Sequence, residues 1–259
     1  MVACDLDGTL IARDNRMTRR VADAVAATIA TGIPVVAVTG RPWQWVLDFA
    51  RHHDLHPYSV VSNGAALVHV ATGEVEHNGL ADGAVAALMT RIRELVPGIT
   101  FALDTTTDLY HEAGFHDPGY LGQHLVDDLA AVADRDVIKL IARKDGLPGT
   151  ELVDLLDHEV LDGVAVPYAG YGEWVELLAS GVSKATGLAV VAGRLGVGPA
   201  EVWAIGDEWN DVPMFDWAGM AIAMGNAPAH VQAAADRVAP TADDDGVAVV
   251  LEDLLRSGS

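Results

Sequence analysis

Short apolar runs alternate with amphipathic segments at both ends of the chain. The predicted strands of the N-terminal part are 2–4, 34–38 and 59–62, and its predicted helices are 18–30 and 43–53. The same alternation of strands and helices is predicted at the C-terminal end. The predicted helices there are 183–195, 211–217, 228–235 and 247–255, and the predicted strands are 201–205, 220–223 and 237–239. Uninterrupted apolar strands that alternate with helices are typical of a parallel sheet covered on both faces. The two ends therefore predict a doubly wound, Rossmann-like α/β core.

The middle of the chain has a different pattern, in which polar turns separate shorter elements. A hairpin is predicted at 65–75, helices at 81–96, 119–133 and 149–159, and strands at 100–103, 109–112, 137–142 and 164–168. We therefore expect a core domain formed by residues 1–80 and 179–259. A smaller α/β domain, 81–178, is inserted into it.

Composition and charge narrow the range of functions. Hydrophobic residues make up 51% of the 259 residues and charged residues 20%, which excludes a disordered or fibrous chain. The net charge of -21, without a basic run, disfavours binding to nucleic acid or to a membrane surface. One cysteine, Cys4, and carboxylates at Asp5 and Asp7, where a secretory leader would be apolar, predict a soluble cytoplasmic protein.

Two carboxylates stand at the end of the first predicted strand. Open parallel sheets bind ligands at this edge, and Asp5 and Asp7 are close enough to repel each other. Such a pair favours a bound cation or a proton on one member. Gly8 lets backbone N–H groups approach an anion. Alone, the pattern is equally consistent with a calcium loop or a solvated turn.

Three further segments carry candidate chemistry. Thr39 and Gly40 end the second strand, where a hydroxyl and backbone donors suit a phosphate group, although a helix cap has the same residues. Asp207 begins a run of oxygen-bearing side chains that suits a hard cation such as Mg²⁺, but an acidic helix N-terminus explains it equally well. Lys184, at the start of a predicted helix, is by itself an ordinary solvated lysine.

Taken together, these segments resemble the haloacid dehalogenase superfamily, in particular its Cof-like and sugar-phosphate phosphatases. The four motifs of that superfamily are present in order, as Asp5–Thr9, Thr39, Lys184 and Gly206–Asp211. The segment 62–65 is also similar to the Cof-like branch. The resemblance covers the whole chain and implies that the inserted domain is an α/β cap of the C2 type.

The resemblance implies roles for the acidic residues. Asp5 is the expected nucleophile, which forms an aspartyl-phosphate, and Asp7 the expected general acid and base. Mg²⁺ is the expected cofactor, held by Asp5, the backbone carbonyl of Asp7 and Asp207, with Asp211 as a further ligand or a residue next to the metal.

The resemblance also implies a site for the transferred phosphoryl group. Gly8, Thr39, Gly40, Lys184 and Asn210 are the expected phosphate-binding residues. One lysine and one divalent ion would concentrate positive charge at the site of an otherwise acidic protein.

The predicted activity is a Mg²⁺-dependent phosphatase acting on a small phosphorylated metabolite, with a sugar or polyol phosphate as the expected substrate. Asp7 favours a phosphatase over an ion pump, which carries Thr at that position. The alternatives are a phosphomutase or other phosphotransferase, and a non-catalytic phosphate-ligand binding protein that retains the fold. In the inserted domain, Tyr168, Tyr171 and Trp174 are expected to belong to the core, and Glu173 is a candidate contact for the leaving group.

Overall fold

A computed structural model of the chain describes residues 1–12, 16–53, 55–81, 83–115, 122–156, 161, 163–169 and 172–257. It divides into two compact units. Unit 1 comprises Met1–Glu74 and Ser183–Ser259, and unit 2 comprises Val75–Val182. The predicted domain boundaries, after residues 80 and 178, lie a few residues from these divisions. That unit 2 acts as a cap stays a prediction.

The described residues form strands and helices that are numbered here in chain order. The strands are β1 Val2–Cys4, β2 Val35–Ala37, β3 Tyr58–Val61, β4 Ala66–His69, β5 Glu74–His77, β6 Thr100–Thr105, β7 Leu109–His111, β8 Gln123–Leu125, β9 Val137–Arg143, β10 Ala165–Ala169, β11 Trp174–Ala179, β12 Trp203–Gly206, β13 Met220–Ala223 and β14 Arg237–Val238. The α-helices are α1 Arg19–Ala30, α2 Trp43–His52, α3 Ala84–Leu95, α4 Gly149–Leu155, α5 Lys184–Leu195, α6 Val212–Trp217, α7 Ala229–Gln232 and α8 Gly246–Ser257. Among the helices described, none combines the length and the apolar character needed to cross a membrane.

A five-stranded parallel sheet forms the centre of unit 1. Its order is β14-β13-β12-β1-β2, so β1 lies between β12 and β2. A parallel bridge between Val38 and Val60 brings β3 beside β2, and β4 pairs antiparallel with β3. The predicted parallel α/β core is therefore confirmed.

Both faces of this sheet are buried. Ala3, Val36 and Ala204 pack in a hydrophobic cluster with side chains of α5 and α6. The alternate residues Cys4 and Ile205 point to the other face and are also fully buried. Because the side chains on both faces are buried, the strands are continuous apolar runs in the sequence.

Local capping fixes the starts of two helices of unit 1. The Thr18 hydroxyl accepts a hydrogen bond from Val21 N at the start of α1. The Ser183 hydroxyl accepts one from Thr186 N, and the Thr186 hydroxyl accepts one from Ser183 N. This reciprocal cap sets the position of Lys184, the first residue of α5.

Unit 2 contains a six-stranded sheet of order β10-β11-β9-β6-β7-β8, in which β7 and β8 are parallel and the other neighbours are antiparallel. Its main hydrophobic cluster joins one sheet face to α3, with Leu88 and Ile92 packed in the same cluster as Phe101 and Leu140. The prediction that the inserted unit is of the α/β class is thus confirmed.

Two predictions for the middle of the chain differ from the structure. The helix predicted at 119–133 is wrong over its described part, because 123–125 form strand β8 beside β7 and 129–132 form a 3-10 helix. The Asp128 carboxylate accepts a hydrogen bond from Ala130 N and begins that short helix. Residues 119–121 and 157–159 of the predicted helices lie outside the described residues. Strand β11, which pairs with both β10 and β9, had no counterpart among the predicted elements.

Candidate active site

The candidate site lies at the carboxyl edge of the parallel sheet of unit 1. Asp5 follows β1, Thr39 comes after β2 and Asp207 follows β12. These three strands are neighbours and run in the same direction, so their carboxyl ends meet at one edge.

A buried lysine joins two of the predicted site residues. Lys184 Nζ lies 2.8 Å from Asp5 Oδ1 and 2.6 Å from Asp211 Oδ1. The Lys184 side chain is 1% exposed, and those of Asp5 and Asp211 are 6% and 0% exposed. Lys184 is thus a buried cation between two carboxylates.

Asp211 holds the loop that follows β12. Its Oδ2 accepts hydrogen bonds from Asp207 N and Glu208 N, both at 2.9 Å, while its Oδ1 faces Lys184. A Cβ on Gly206 would lie 2.3 Å from Asp211 Cγ, so only glycine fits there. Three donors therefore engage this carboxylate, which joins Lys184 to the loop after β12.

Asp207 is fixed by two side chains from other loops. Its Oδ1 accepts a hydrogen bond from the Thr9 hydroxyl at 2.9 Å, and its Oδ2 accepts one from Asn226 Nδ2 at 3.0 Å. Asn226 Nδ2 also donates to the carbonyl of Gly8 at 2.9 Å. Gly8 has φ of 72°, and a Cβ on it would lie 2.2 Å from Asp207 Oδ2. Gly8 therefore provides both the turn and the close approach to Asp207.

The ionisation of these groups is strongly perturbed. Burial raises the pKa of Asp5 well above its usual range, although the Lys184 ammonium acts in the opposite direction. Burial also raises the pKa of Asp207 to about 7, against the lowering effect of the hydrogen bond from Thr9. Burial alone would lower the pKa of Lys184, but the charges of Asp211 and Asp5 outweigh it and raise that pKa. The cluster therefore contains more negative than positive charge.

The cluster fits a divalent metal ion. One carboxylate oxygen from each of Asp5, Asp207 and Asp211 lies within 4.8 Å of the others. Three carboxylates face one ammonium, so the fully ionised cluster has two uncompensated negative charges. Oxygen ligands with this charge suit a hard divalent cation such as Mg²⁺.

Asp7 lies beside the cluster and is paired with an arginine. Arg41 Nε donates to Asp7 Oδ2 at 2.7 Å, and Arg41 Nη2 donates to Asp7 Oδ1. The Asp7 side chain is 35% exposed, in contrast to the buried Asp5. Asp7 is thus reachable from solvent.

The loop after β2 is tied to a left-handed turn. Ser62 and Asn63 have φ of 48° and 55°, which non-glycine residues rarely adopt. Asn63 N donates to the carbonyl of Thr39 at 2.9 Å, and Asn63 Oδ1 accepts a hydrogen bond from Asn210 Nδ2 at 2.9 Å. A Cβ on Gly40 would lie 3.0 Å from that same oxygen. The turn therefore joins Thr39, Gly40 and Asn210.

The structure thus places the sequence-predicted residues at one edge of unit 1. Asp5, Asp207, Asp211 and Lys184 form the buried cluster, and Asp7 adjoins it. The remaining candidates lie in the surrounding loops: Gly8, Thr39, Gly40 and Asn210. Their roles in catalysis, phosphate binding and metal binding stay predictions.

Four residues that the structure places here had no role among the sequence predictions. They are Thr9, Arg41, Asn63 and Asn226. Asn226 follows β13 at the same sheet edge, so its position after an apolar strand was a usable signal. Asn63 lies within the segment 62–65, and Arg41 directly follows Thr39 and Gly40, but their side-chain partners, Asn210 and Asp7, are distant along the chain. No local pattern indicates such pairings.

The candidate residues of unit 2 have partners within that unit. Glu173 Oε2 accepts a hydrogen bond from Arg143 Nη2 at 3.1 Å, and its Oε1 accepts one from Gly146 N at 2.9 Å. The Tyr168 hydroxyl donates to the carbonyl of Val182 at 3.4 Å, and Trp174 packs against a small apolar cluster. Tyr171 lies outside the described residues.

Comparison with known proteins identifies the family. Residues 2–251 match the model of the haloacid dehalogenase-like hydrolases. The chain therefore belongs to this family, as the four motifs predict, and its predicted class as a hydrolase is confirmed.

Several relatives are named as phosphatases. The chain is 31% identical over 256 residues to a phosphoglycolate phosphatase of Natronomonas pharaonis, covering 97% of this chain and 96% of the relative. It is 28% identical over 270 residues to the 5-amino-6-(5-phospho-D-ribitylamino)uracil phosphatase YitU of Bacillus subtilis, covering 98% and 96%. The solved structure of the subclass IIB sugar phosphatase BT4131 superposes with a TM-score of 0.81 at 21% identity, covering 98% of each chain. The last likeness shows a shared fold.

Proposed function

We propose that this protein is a Mg²⁺-dependent phosphatase that hydrolyses a small phosphomonoester through an aspartyl-phosphate on Asp5. The observation that carries the proposal is the position of Lys184 Nζ, 2.8 Å from Asp5 Oδ1 and 2.6 Å from Asp211 Oδ1. A fixed cation at this point is suited to bind an oxygen of a phosphoryl group that reaches Asp5. Membership of the hydrolase family and the phosphatase relatives support the same reaction.

A divalent ion would be held by Asp5 and Asp207, with Asp211 holding the loop and Lys184 beside it. When bound, the ion would neutralise negative charge on the phosphoryl oxygens. The hydrogen bonds from Thr9 and Asn226 fix both oxygens of Asp207 before the ion binds. The chain thus offers a preorganised oxygen site rather than a flexible acidic loop.

The reaction would follow two steps. In the first, the Asp5 carboxylate attacks phosphorus, the bond from phosphorus to the leaving oxygen breaks, and Asp7 donates a proton to that oxygen. In the second, the Asp7 carboxylate takes a proton from water, and the oxygen of that water attacks phosphorus. The second step releases inorganic phosphate and restores Asp5. The exposure of Asp7 and the burial of Asp5 match these two roles.

The substrate class that we propose is a small polar phosphomonoester, such as a sugar or polyol phosphate. Two relatives are named for phosphorylated metabolites, phosphoglycolate and a phosphoribityl compound. The uncompensated negative charge of the cluster explains why a dianionic substrate would need the metal ion for binding.

The test is release of inorganic phosphate from a panel of sugar, polyol and carboxylate phosphates, with Mg²⁺ or with EDTA. Asp5→Asn should abolish release, because the amide cannot attack phosphorus, while the exposed control Asp216→Asn keeps wild-type activity. Borohydride added during turnover should convert Asp5 to homoserine, detected by mass spectrometry. Full activity of Asp5→Asn, or activity independent of metal, would contradict the proposal.

The same measurement separates the alternatives. A phosphotransferase would consume the ester without matching release of inorganic phosphate into water. A binding protein would bind esters without turnover. Net release of phosphate, equal to the alcohol formed, would establish the phosphatase.

A further inference from the structure

The guanidinium of Arg41 contacts both oxygens of the Asp7 carboxylate. We propose that Arg41 is a positioning residue that orients Asp7 for proton transfer to the leaving oxygen. The inference rests on the proposed function, since it concerns the general acid of that reaction.

The contact is a two-point one. Arg41 Nε donates to Asp7 Oδ2 at 2.7 Å, and Arg41 Nη2 donates to Asp7 Oδ1. Two parallel bonds from a planar guanidinium fix the plane of a carboxylate as well as its distance. Both side chains are partly exposed, Arg41 at 21% and Asp7 at 35%, so a substrate oxygen can still reach the carboxylate.

Arg41 is itself held from several sides. Its backbone N donates to the Thr39 hydroxyl at 3.1 Å, and its carbonyl accepts a hydrogen bond from Ser62 N at 3.0 Å. Its guanidinium lies over the ring of Trp45, with 3.6 Å from Cζ to the ring centroid. Trp45 in turn stacks on Phe49, with the centroids 5.2 Å apart. The Trp45 ring of α2 therefore supports the guanidinium, while Thr39 and Ser62 fix the backbone of Arg41.

Orientation requires the forked shape of arginine. A lysine at this position would supply the same charge, but its ammonium cannot form two parallel bonds in one plane. If Arg41 served only to balance the charge of Asp7, lysine would replace it. If Arg41 orients Asp7, the lysine variant should lose activity, and the loss should grow with the leaving group's need for a proton.

That need depends on the leaving group. 4-Nitrophenolate leaves as a stable anion and hardly requires protonation, whereas phenolate, and still more a sugar alkoxide, requires a proton in the transition state. A misplaced general acid should therefore reduce kcat/KM little for 4-nitrophenyl phosphate and more for phenyl phosphate. The largest reduction is expected for a sugar phosphate.

The experiment compares Arg41→Lys with wild type on these three esters in Mg²⁺. We expect kcat/KM to fall roughly 10- to 100-fold for the sugar phosphate and less than about threefold for 4-nitrophenyl phosphate. Arg51→Lys is the matched control, because Arg51 lies on α2, which follows Arg41 in the chain, and donates to the carbonyl of Val70 rather than to Asp7. It should leave all three values unchanged.

A second background tests whether Arg41 acts through Asp7. In Asp7→Asn, release of 4-nitrophenolate in a single turnover can still be followed, and adding Arg41→Lys should cause no further loss. Trp45→Leu should show the same dependence on the leaving group as Arg41→Lys, with a smaller loss.

The remaining outcomes of these experiments would overturn the inference, for different reasons. An equal loss on all three esters would overturn the inference, because Arg41 would then bind the phosphate or balance charge. No loss, or the same loss in the Asp7→Asn background, would overturn it as well. If the wild type releases phosphate from no ester, the proposed function fails, and the inference falls with it.

Discussion

Lys184 and Asp211 form a buried ion pair, with 2.6 Å between Nζ and Oδ1 and side chains that are 1% and 0% exposed. Asp211 also accepts two backbone hydrogen bonds from the loop after β12. One carboxylate thus sets the positions of both the cation and the loop that carries Asp207.

Replacing Lys184 by Met should therefore affect both activity and stability. The change leaves Asp5 and Asp211 buried without their cation, which should cost about 3–5 kcal/mol of unfolding free energy. Phosphate release should fall below detection. Urea unfolding and a phosphate-release assay would measure the two effects. Lys144→Met, at a partly exposed lysine, should change neither, and a stable Lys184→Met protein would refute the buried-pair account.

Gly8 and Gly32 offer a matched pair of substitutions. Both have positive φ, 72° and 88°, but a Cβ on Gly8 would meet Asp207 Oδ2 at 2.2 Å, whereas a Cβ on Gly32 has no heavy atom within 4 Å. Each change to Ala should cost about 1 kcal/mol from backbone strain. Only Gly8→Ala should also displace Asp207, lower kcat/KM and raise the Mg²⁺ concentration needed for half-maximal activity. Equal activities of the two variants would show that the contact is unimportant.

The stability of the metal-free protein should depend on pH through Asp207. Its pKa of about 7 lies above the value of about 4 in the unfolded chain, so the folded state binds more protons between these values. The unfolding free energy should therefore fall as pH rises from about 4 to about 7, and Asp5, whose pKa is also raised, contributes in the same direction. The melting temperature in EDTA would show this, with a shallower slope in Asp207→Asn.

Magnesium should reverse this trend. In the proposed function the ion would bind the ionised Asp207 carboxylate, so its stabilising effect should grow as pH rises toward 8. The increase in melting temperature on adding Mg²⁺ should be larger at pH 8 than at pH 5, and it should be lost in Asp207→Asn. An increase independent of pH and of Asp207 would place the metal elsewhere.

Salt should stabilise the protein. The net charge is -21, and the Debye length falls from about 30 Å at 0.01 M salt to about 3 Å at 1 M. Screening of the repulsion should raise the unfolding free energy by on the order of 1 kcal/mol. Urea midpoints in KCl and in NaCl should rise together. A rise in only one of these salts would indicate specific ion binding instead.

The sequence predicts the core of the site well because parallel strands bring their carboxyl ends together. Asp5 and Asp207 each follow an apolar strand, and the hydroxyl cap at Ser183 marks the start of the helix that carries Lys184. Once the strands are recognised, their common edge follows from the fold. The burial of Lys184 could not be predicted, since it depends on side chains from three separate segments.

The errors lie where tertiary pairing overrides local periodicity. Leu125 and Leu129 have helical spacing, yet Leu125 belongs to a strand paired with β7 and Leu129 to a 3-10 helix. The pairing of Arg41 with Asp7 also depends on the distance between two loops, which no local pattern encodes. Asn226 is the exception, because its place at a strand end could be identified from sequence.

The scarcity of exposed lysine has a practical consequence. The chain has three lysines, and two of them, Lys139 and Lys184, are fully buried in ion pairs. An amine-reactive reagent should therefore modify Lys144 before the other two lysines of the folded protein. Acylation of Lys184 would report that the sheet edge has opened, so mass-spectrometric footprinting could follow local unfolding at the lysine that joins Asp5 to Asp211.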